Sequence, residues 1–164
     1  MMISERSAAR KDAMKSIAEF LTRDRVKFVT AASKTEALNA VVDLLGTSPA
    51  VEDREKLRTA IFDRERTLST GIGLGIAVPH AKIRCVNNFV VAVGVAHDGI
   101  EFNSLDGKPV KIIVMIAGPE FQHEQYLRIL ARTTLLLKDV LNRDAILNAK
   151  TEDDVFKLFT EGND

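Results

Sequence analysis

His80 is the residue in this sequence best set for chemistry. Pro79 before it fixes the local backbone, and Gly71, Gly73 and Gly75 upstream let another main chain or a phosphate approach closely. The implied object is a rigid, accessible imidazole. A neutral ring nitrogen at cell pH is a nucleophile, and a phosphorylated imidazole nitrogen is a good leaving group. One histidine can therefore both receive and donate a phosphoryl group. Such transfer depends on positioning and on covering the charge of the equatorial oxygens, for which Arg64, Ser69 and Thr70 are of the right kinds. A structural hydrogen bond in a turn competes as an explanation of a histidine beside a proline, and this segment alone leaves both open.

Other chemistries fit less well. The glycines of GIGLGI lack the third member of a dinucleotide fingerprint, because position 76 is Ile, and a charged helix end precedes them instead of a strand. No P-loop spacing occurs, so the phosphate donor is expected to be another phosphoprotein or a small activated phosphate rather than ATP. There is no GxSxG elbow, and Cys85 lacks the setting of a nucleophile; as a lone cysteine it forms no internal disulfide and reads as a buried or half-buried bystander. His97 sits in an expected turn and reads as solvated. His123 opens a long helix and either is solvated there or faces His80 across the fold. A His80–His123 metal pair has no third ligand at a recognisable spacing, so neither a metal nor a cofactor is expected. Glu120 and Glu124, at the same helix start, suit the positive end of the helix dipole and are assigned no chemistry.

The elements that must hold His80 follow from periodicity. Met14, Ile17, Ala18 and Leu21 predict a first helix over Asp12 to Leu21, and VKFVT at Val26 to Thr30 predicts a strand. Ser33 with Glu36 is a capping-box pair, opening a helix from Lys34 to Leu45 that buries Ala37, Leu38, Val41, Val42 and Leu45. Asp53 caps another, with Leu57, Ala60 and Ile61 inward, ending in the charged stretch Asp63 to Arg66. The segment LSTGIGLGIAVPHAKI is a loop leading into a short strand. The runs from Phe89 to Ala96 and from Val110 to Gly118 are nearly continuous and apolar, as central strands covered on both faces are. Turn chemistry at His97-Asp98-Gly99 and Asp106-Gly107 joins them in a hairpin-like excursion. Leu127 to Leu137 makes a long helix, and Thr151 with Asp154 caps a last one ending near Phe159.

The whole chain is one α/β domain in this reading. Its 164 residues suffice for one sizeable core, and 46% apolar residues with only 5% aromatics describe an interior of Val, Ile, Leu and Ala. Lys and Arg together equal Asp and Glu at 23 each, so no net field gathers nucleic acid or an anionic membrane. The N-terminal residues lack a signal peptide's apolar run and the longest apolar runs are strand-sized, so a cytoplasmic protein is expected, with no membrane insertion.

The stretch RERTLSTGIGLGIAVPHA, from Arg64 to Ala81, closely resembles the signature of the type-2 enzyme IIA of the bacterial phosphotransferase system, covering its fructose, mannitol and nitrogen-regulatory members. The likeness continues through GIEFNSLDGKPVKIIVMIAGP and YLRILARTTLLLKD. It implies a domain over residues 15–164 after an N-terminal arm at 1–14, with a mixed sheet flanked by helices on both faces, the mannitol-type enzyme IIA fold. It further implies that His80 is phosphorylated by HPr or a relative and that Arg64 supports the phosphoryl site, with Ser69, Thr70 and Gly71 around it. Onward transfer goes to an enzyme IIB for sugar uptake; alternatively, phosphorylation controls other proteins, as in the nitrogen-regulatory branch. Relatives commonly carry a second active-site histidine where this chain has Tyr126. Either His123, one turn earlier, substitutes for it or Tyr126 acts as a neutral hydrogen-bonding partner.

Overall fold

A computed structural model describes residues 17–161, and the capping signals translate directly into helices. Ser33 ends the extended chain and its hydroxyl accepts the Glu36 N–H at 3.2 Å, opening α1 (Lys34–Leu45). Asp53 accepts from the N–H groups of Glu55 and Lys56, both at 3.1 Å, and opens α2 (Arg54–Thr67). The long helix α3 (His123–Lys138) stops at Asp139, whose extended backbone breaks it and whose carboxylate caps α4 (Val140–Asn148). Thr151 caps α5 (Glu152–Thr160) through the Asp154 N–H at 3.1 Å.

Six strands form one mixed sheet: β1 (Val26–Phe28), β2 (Gly71–Gly73), β3 (Ile76–Ala77), β4 (His80–Lys82), β5 (Val90–Ile100) and β6 (Val110–Gly118). The order is β1-β5-β6-β3-β2, with β4 also pairing to β6. β5 and β6 are an antiparallel hairpin; β1 runs parallel to β5, and β3 and β4 run parallel to successive parts of β6.

Alternation along the two long strands divides the interior in two. Val91, Val93, Val95, Ile112, Val114 and Ile116 face Tyr126, Ile129, Leu137, Val155 and Phe159 from α3 and α5. Val90, Ala92, Ile113, Met115 and Ala117 face Leu38, Val41, Leu57 and Ile61 from α1 and α2. Each fully buried aliphatic side chain contributes about 1.5–3 kcal/mol by leaving water, which is why β5 and β6 are apolar on both faces.

Several expectations change. The first half of the first helix, Asp12 to Ser16, and the whole N-terminal arm fall outside the described residues, while Ile17 and Leu21 are buried in the core. The strand from Val26 is shorter than VKFVT, while Val29 still donates its N–H to the Val95 carbonyl at 2.8 Å. His97-Asp98-Gly99 is not a turn: β5 runs through it to Ile100, absorbing the three residues in a register shift against β6. The reversal lies at Ser104 to Gly107, where Gly107 takes φ +70°. Helix α2 continues to Thr67 and the proline-glycine segment folds as three short strands rather than one. Leu127 and Leu135 of α3 point outward, and α4 goes unannounced by any periodic run.

Candidate functional site

Three short strands present His80. Strand β2 turns through Leu74 (φ 60°) and Gly75 (φ 75°) into β3, and the Asp106 carboxylate holds this turn by accepting the Leu74 N–H at 3.1 Å. The Val78 N–H reaches the Thr70 carbonyl at 3.1 Å, and the Pro79 carbonyl accepts the Ile116 N–H at 3.0 Å. The chain is thus pinned on both sides immediately before His80. In β4 the burial pattern puts Ala81 into the core against α1 and α2, so His80 and Lys82 share the opposite face.

The imidazole has a defined tautomer. His80 Nδ1 lies 2.8 Å from the Val78 carbonyl oxygen, which can only accept, so Nδ1 carries the proton and the Nε2 lone pair is left unused by the described residues. Its ring meets the Tyr126 ring edge-on, with centroids 5.8 Å apart. Burial pushes the His80 pKa below 6.5; the Val78 bond opposes this, the nearby Arg64 charge adds to it, and Glu65 opposes it. The ring is consequently neutral at cell pH. Burial also drives the Tyr126 phenol upward, so it stays protonated.

Arg64 stands in the last turn of α2 and donates from Nη1 to the Leu68 carbonyl at 2.8 Å, a bond that satisfies the helix end and orients the guanidinium. Its charge acts on both His80 and Tyr126. Glu65, next to it, is buried. Its carboxylate accepts the Thr70 N–H at 2.9 Å, the Thr70 hydroxyl at 2.6 Å and the Lys34 ammonium at 2.8 Å. The Ser69 hydroxyl donates to the Phe102 carbonyl at 2.8 Å and accepts the Gly71 N–H at 3.1 Å. Gly71 itself is required by contact: a Cβ there would meet the Ser104 side chain and lie 3.1 Å from Ser104 Cα.

His80, Arg64 and Tyr126 are therefore brought together. Ser69, Thr70 and Gly71 belong to the neighbouring segment that pairs with Ala77 and Val78, just before His80, with both hydroxyls committed to other partners. His123 bonds elsewhere, its Nδ1 lying 2.7 Å from the Lys82 ammonium. Cys85 is buried, its Sγ 3.5 Å from the Asp53 carbonyl, and Glu120 pairs with Arg84 at 3.0 Å. Sequence reasoning passed over Glu65 and Lys82. The two-residue alternation of a strand from His80 would have marked Lys82, whereas no local pattern announces a buried glutamate.

Among the described residues no helix is long and apolar enough to cross a membrane. The chain is 35% identical over 147 residues to the "PTS system fructose-specific EIIABC component" of Bacillus subtilis (strain 168), a match covering 88% of this chain and 23% of that larger protein. It is 33% identical over 130 residues to the "PTS system fructose-specific EIIA component" of Haloferax volcanii, covering 79% and 84%. Among solved structures, the nitrogen regulatory protein IIA-Ntr of Neisseria meningitidis superposes with a TM-score of 0.82 at 23% identity, over 88% of this chain and 99% of that one. The IIA chain in the complex of enzyme IIA and phosphorylated enzyme IIB for mannitol from Escherichia coli gives 0.72 at 22% identity, over 87% and 99%. At these identities the structures show the expected fold alone. The model of the "Phosphoenolpyruvate-dependent sugar phosphotransferase system, EIIA 2" family matches residues 19–162, and the chain belongs to that family.

Proposed function

We propose that the chain is a phosphohistidine carrier in which His80 Nε2 accepts a phosphoryl group from the phosphohistidine of HPr or a relative and passes it to an enzyme IIB. The single observation behind this reading is the Nδ1–H bond to the Val78 carbonyl at 2.8 Å, which leaves Nε2 as the only nucleophilic nitrogen. Nε2 attacks phosphorus in line, the donor's N–P bond breaks, and the donor leaves as a neutral imidazole. His80 keeps its Nδ1 proton, so its phosphorylated ring is cationic and Nε2 remains a good leaving group for the second transfer. No net proton movement is needed when both rings hold their second N–H. Arg64 covers charge on the phosphoryl oxygens, and Tyr126 supplies a neutral, buried wall.

Protein partners suit the surroundings better than a small substrate does. Leu68, Leu74, Leu105 and Phe121 stand out to solvent on segments that carry or adjoin the site, with Leu105 76% and Phe121 81% exposed. In this reading these exposed apolar side chains contact the donor and acceptor proteins. The domain so read runs over residues 15–164 and works in the cytoplasm.

Incubation with phosphoenolpyruvate, enzyme I and HPr, followed by peptide mapping, tests the reading. One acid-labile phosphoryl group on the His80 peptide, absent in His80→Gln, is expected; no label with active partners overturns it. A regulatory role shares this first step and is separated from transport by the acceptor, because it predicts a labelled chain that transfers to no enzyme IIB.

A further inference from the structure

We infer that Lys82 is a second cation of the phosphoryl site, holding the oxygens of phosphorylated His80 together with Arg64, with His123 as the residue that positions it. This rests on the carrier reading above. A phosphoryl group carries close to two negative charges at neutral pH. Arg64 offsets one of them, and the phenol of Tyr126 is uncharged at the same pH.

Lys82 is placed to supply the other. It stands two residues beyond His80 on the same face of β4, where alternate side chains are about 6.6 Å apart. Both side chains converge on one ring: the His80 centroid is 5.8 Å and Lys82 Nζ 5.4 Å from the centroid of Tyr126. The ammonium is fixed by His123 Nδ1 at 2.7 Å. Because an ammonium can only donate, that contact defines His123 as the Nε2–H tautomer, a neutral acceptor that orients Lys82 without cancelling its charge. Among the described residues no carboxylate pairs with Lys82, in contrast to Lys34, Arg58, Arg66 and Arg84, each of which has an acidic partner. A held cation without a carboxylate partner among the described residues, beside a nucleophile that will carry a dianionic phosphoryl group, suits a group-transfer site.

Lys82→Met keeps the aliphatic stem and removes the charge. With phosphorylated HPr as the probe, Lys82→Met is expected to accept the phosphoryl group roughly tenfold or more slowly at saturating donor, a charge-assisted hydrogen bond being worth about that factor. It should also shift the exchange equilibrium toward the donor, with Lys82→Arg within about threefold of wild type. His123→Ala should lower the rate by less than Lys82→Met and leave the donor KM unchanged. In the unsubstituted protein the Lys82 Nζ resonance should move on phosphorylation, a readout independent of any variant's folding. The inference is overturned if Lys82→Met matches wild type in rate and equilibrium, or if that resonance stays in place while His80 is labelled. Failure of wild type to label on His80 would instead overturn the carrier reading itself.

Discussion

Replacing Glu65 by alanine should loosen the loop that carries the glycines. The Glu65 side chain is 4% exposed and accepts three hydrogen bonds, two from Thr70, itself buried, and one from Lys34, which is 25% exposed. Without the carboxylate, the Thr70 N–H and hydroxyl are left buried and unpaired, at about 1–3 kcal/mol each. Lys34 regains water and keeps its bond to the Phe102 carbonyl at 3.1 Å, so its loss counts as a surface pair, about 0–1 kcal/mol. Glu65→Ala should therefore cost about 3 kcal/mol. Glu65→Gln retains an acceptor for the Thr70 N–H and an amide donor for the Thr70 hydroxyl, losing mainly charge assistance, about 1 kcal/mol. In urea unfolding with a slope of about 2 kcal/mol/M, the midpoints should fall by about 1.5 M and about 0.5 M. An alanine variant within about 0.5 kcal/mol of wild type would refute this account of the loop. So would equal costs for alanine and glutamine, because then charge rather than hydrogen-bond satisfaction would dominate.

Three further outcomes follow from the same geometry. Gly71→Ala should destabilise by about 1–3 kcal/mol through overpacking against Ser104 and slow labelling of His80, measured by urea unfolding and phosphoryl transfer. Tyr126→Ala should cost about 3–5 kcal/mol as a buried aromatic truncation, while Tyr126→Phe, which keeps the ring against His80, should stay within about 1 kcal/mol by the same unfolding assay. Burial holds the His80 pKa below its unfolded value of 6.5, so the acid limb of the phosphoryl-acceptance profile should lie below that pH. Just under pH 6.5 the unfolded chain binds a proton that the native imidazole refuses, so the stability contribution is complete above 6.5 and falls as the pH drops below it. His80→Gln should flatten that part of the stability profile.

Legibility in the sequence followed the range of the signal. Helices announced by a cap and a 3.6-residue period began where expected: Ser33 opens α1 and its five named apolar residues are buried. The two-sided apolar runs became β5 and β6 for the same reason, since both faces of a central strand must leave water. His97-Asp98-Gly99 misled because turn-forming residue types also suit a bulge, and pairing across to β6 decides between them. At the site, the glycine and proline pattern marked the segment, but the contacts that organise it are long-range. Lys34 reaches Glu65 from another helix, Tyr126 meets His80 from α3, and Lys82 finds His123 across 41 positions. Neither period nor local propensity encodes such meetings.

The central claim is that His80 reacts through Nε2 because Val78 holds its Nδ1 proton. Long-range proton–nitrogen spectra of protein labelled with nitrogen-15 in its histidines, before and after phosphorylation by HPr, test it directly. The account predicts phosphorus coupling on Nε2 of His80 with the Nδ1 proton still present; coupling on Nδ1, or on His97 or His123, would contradict it.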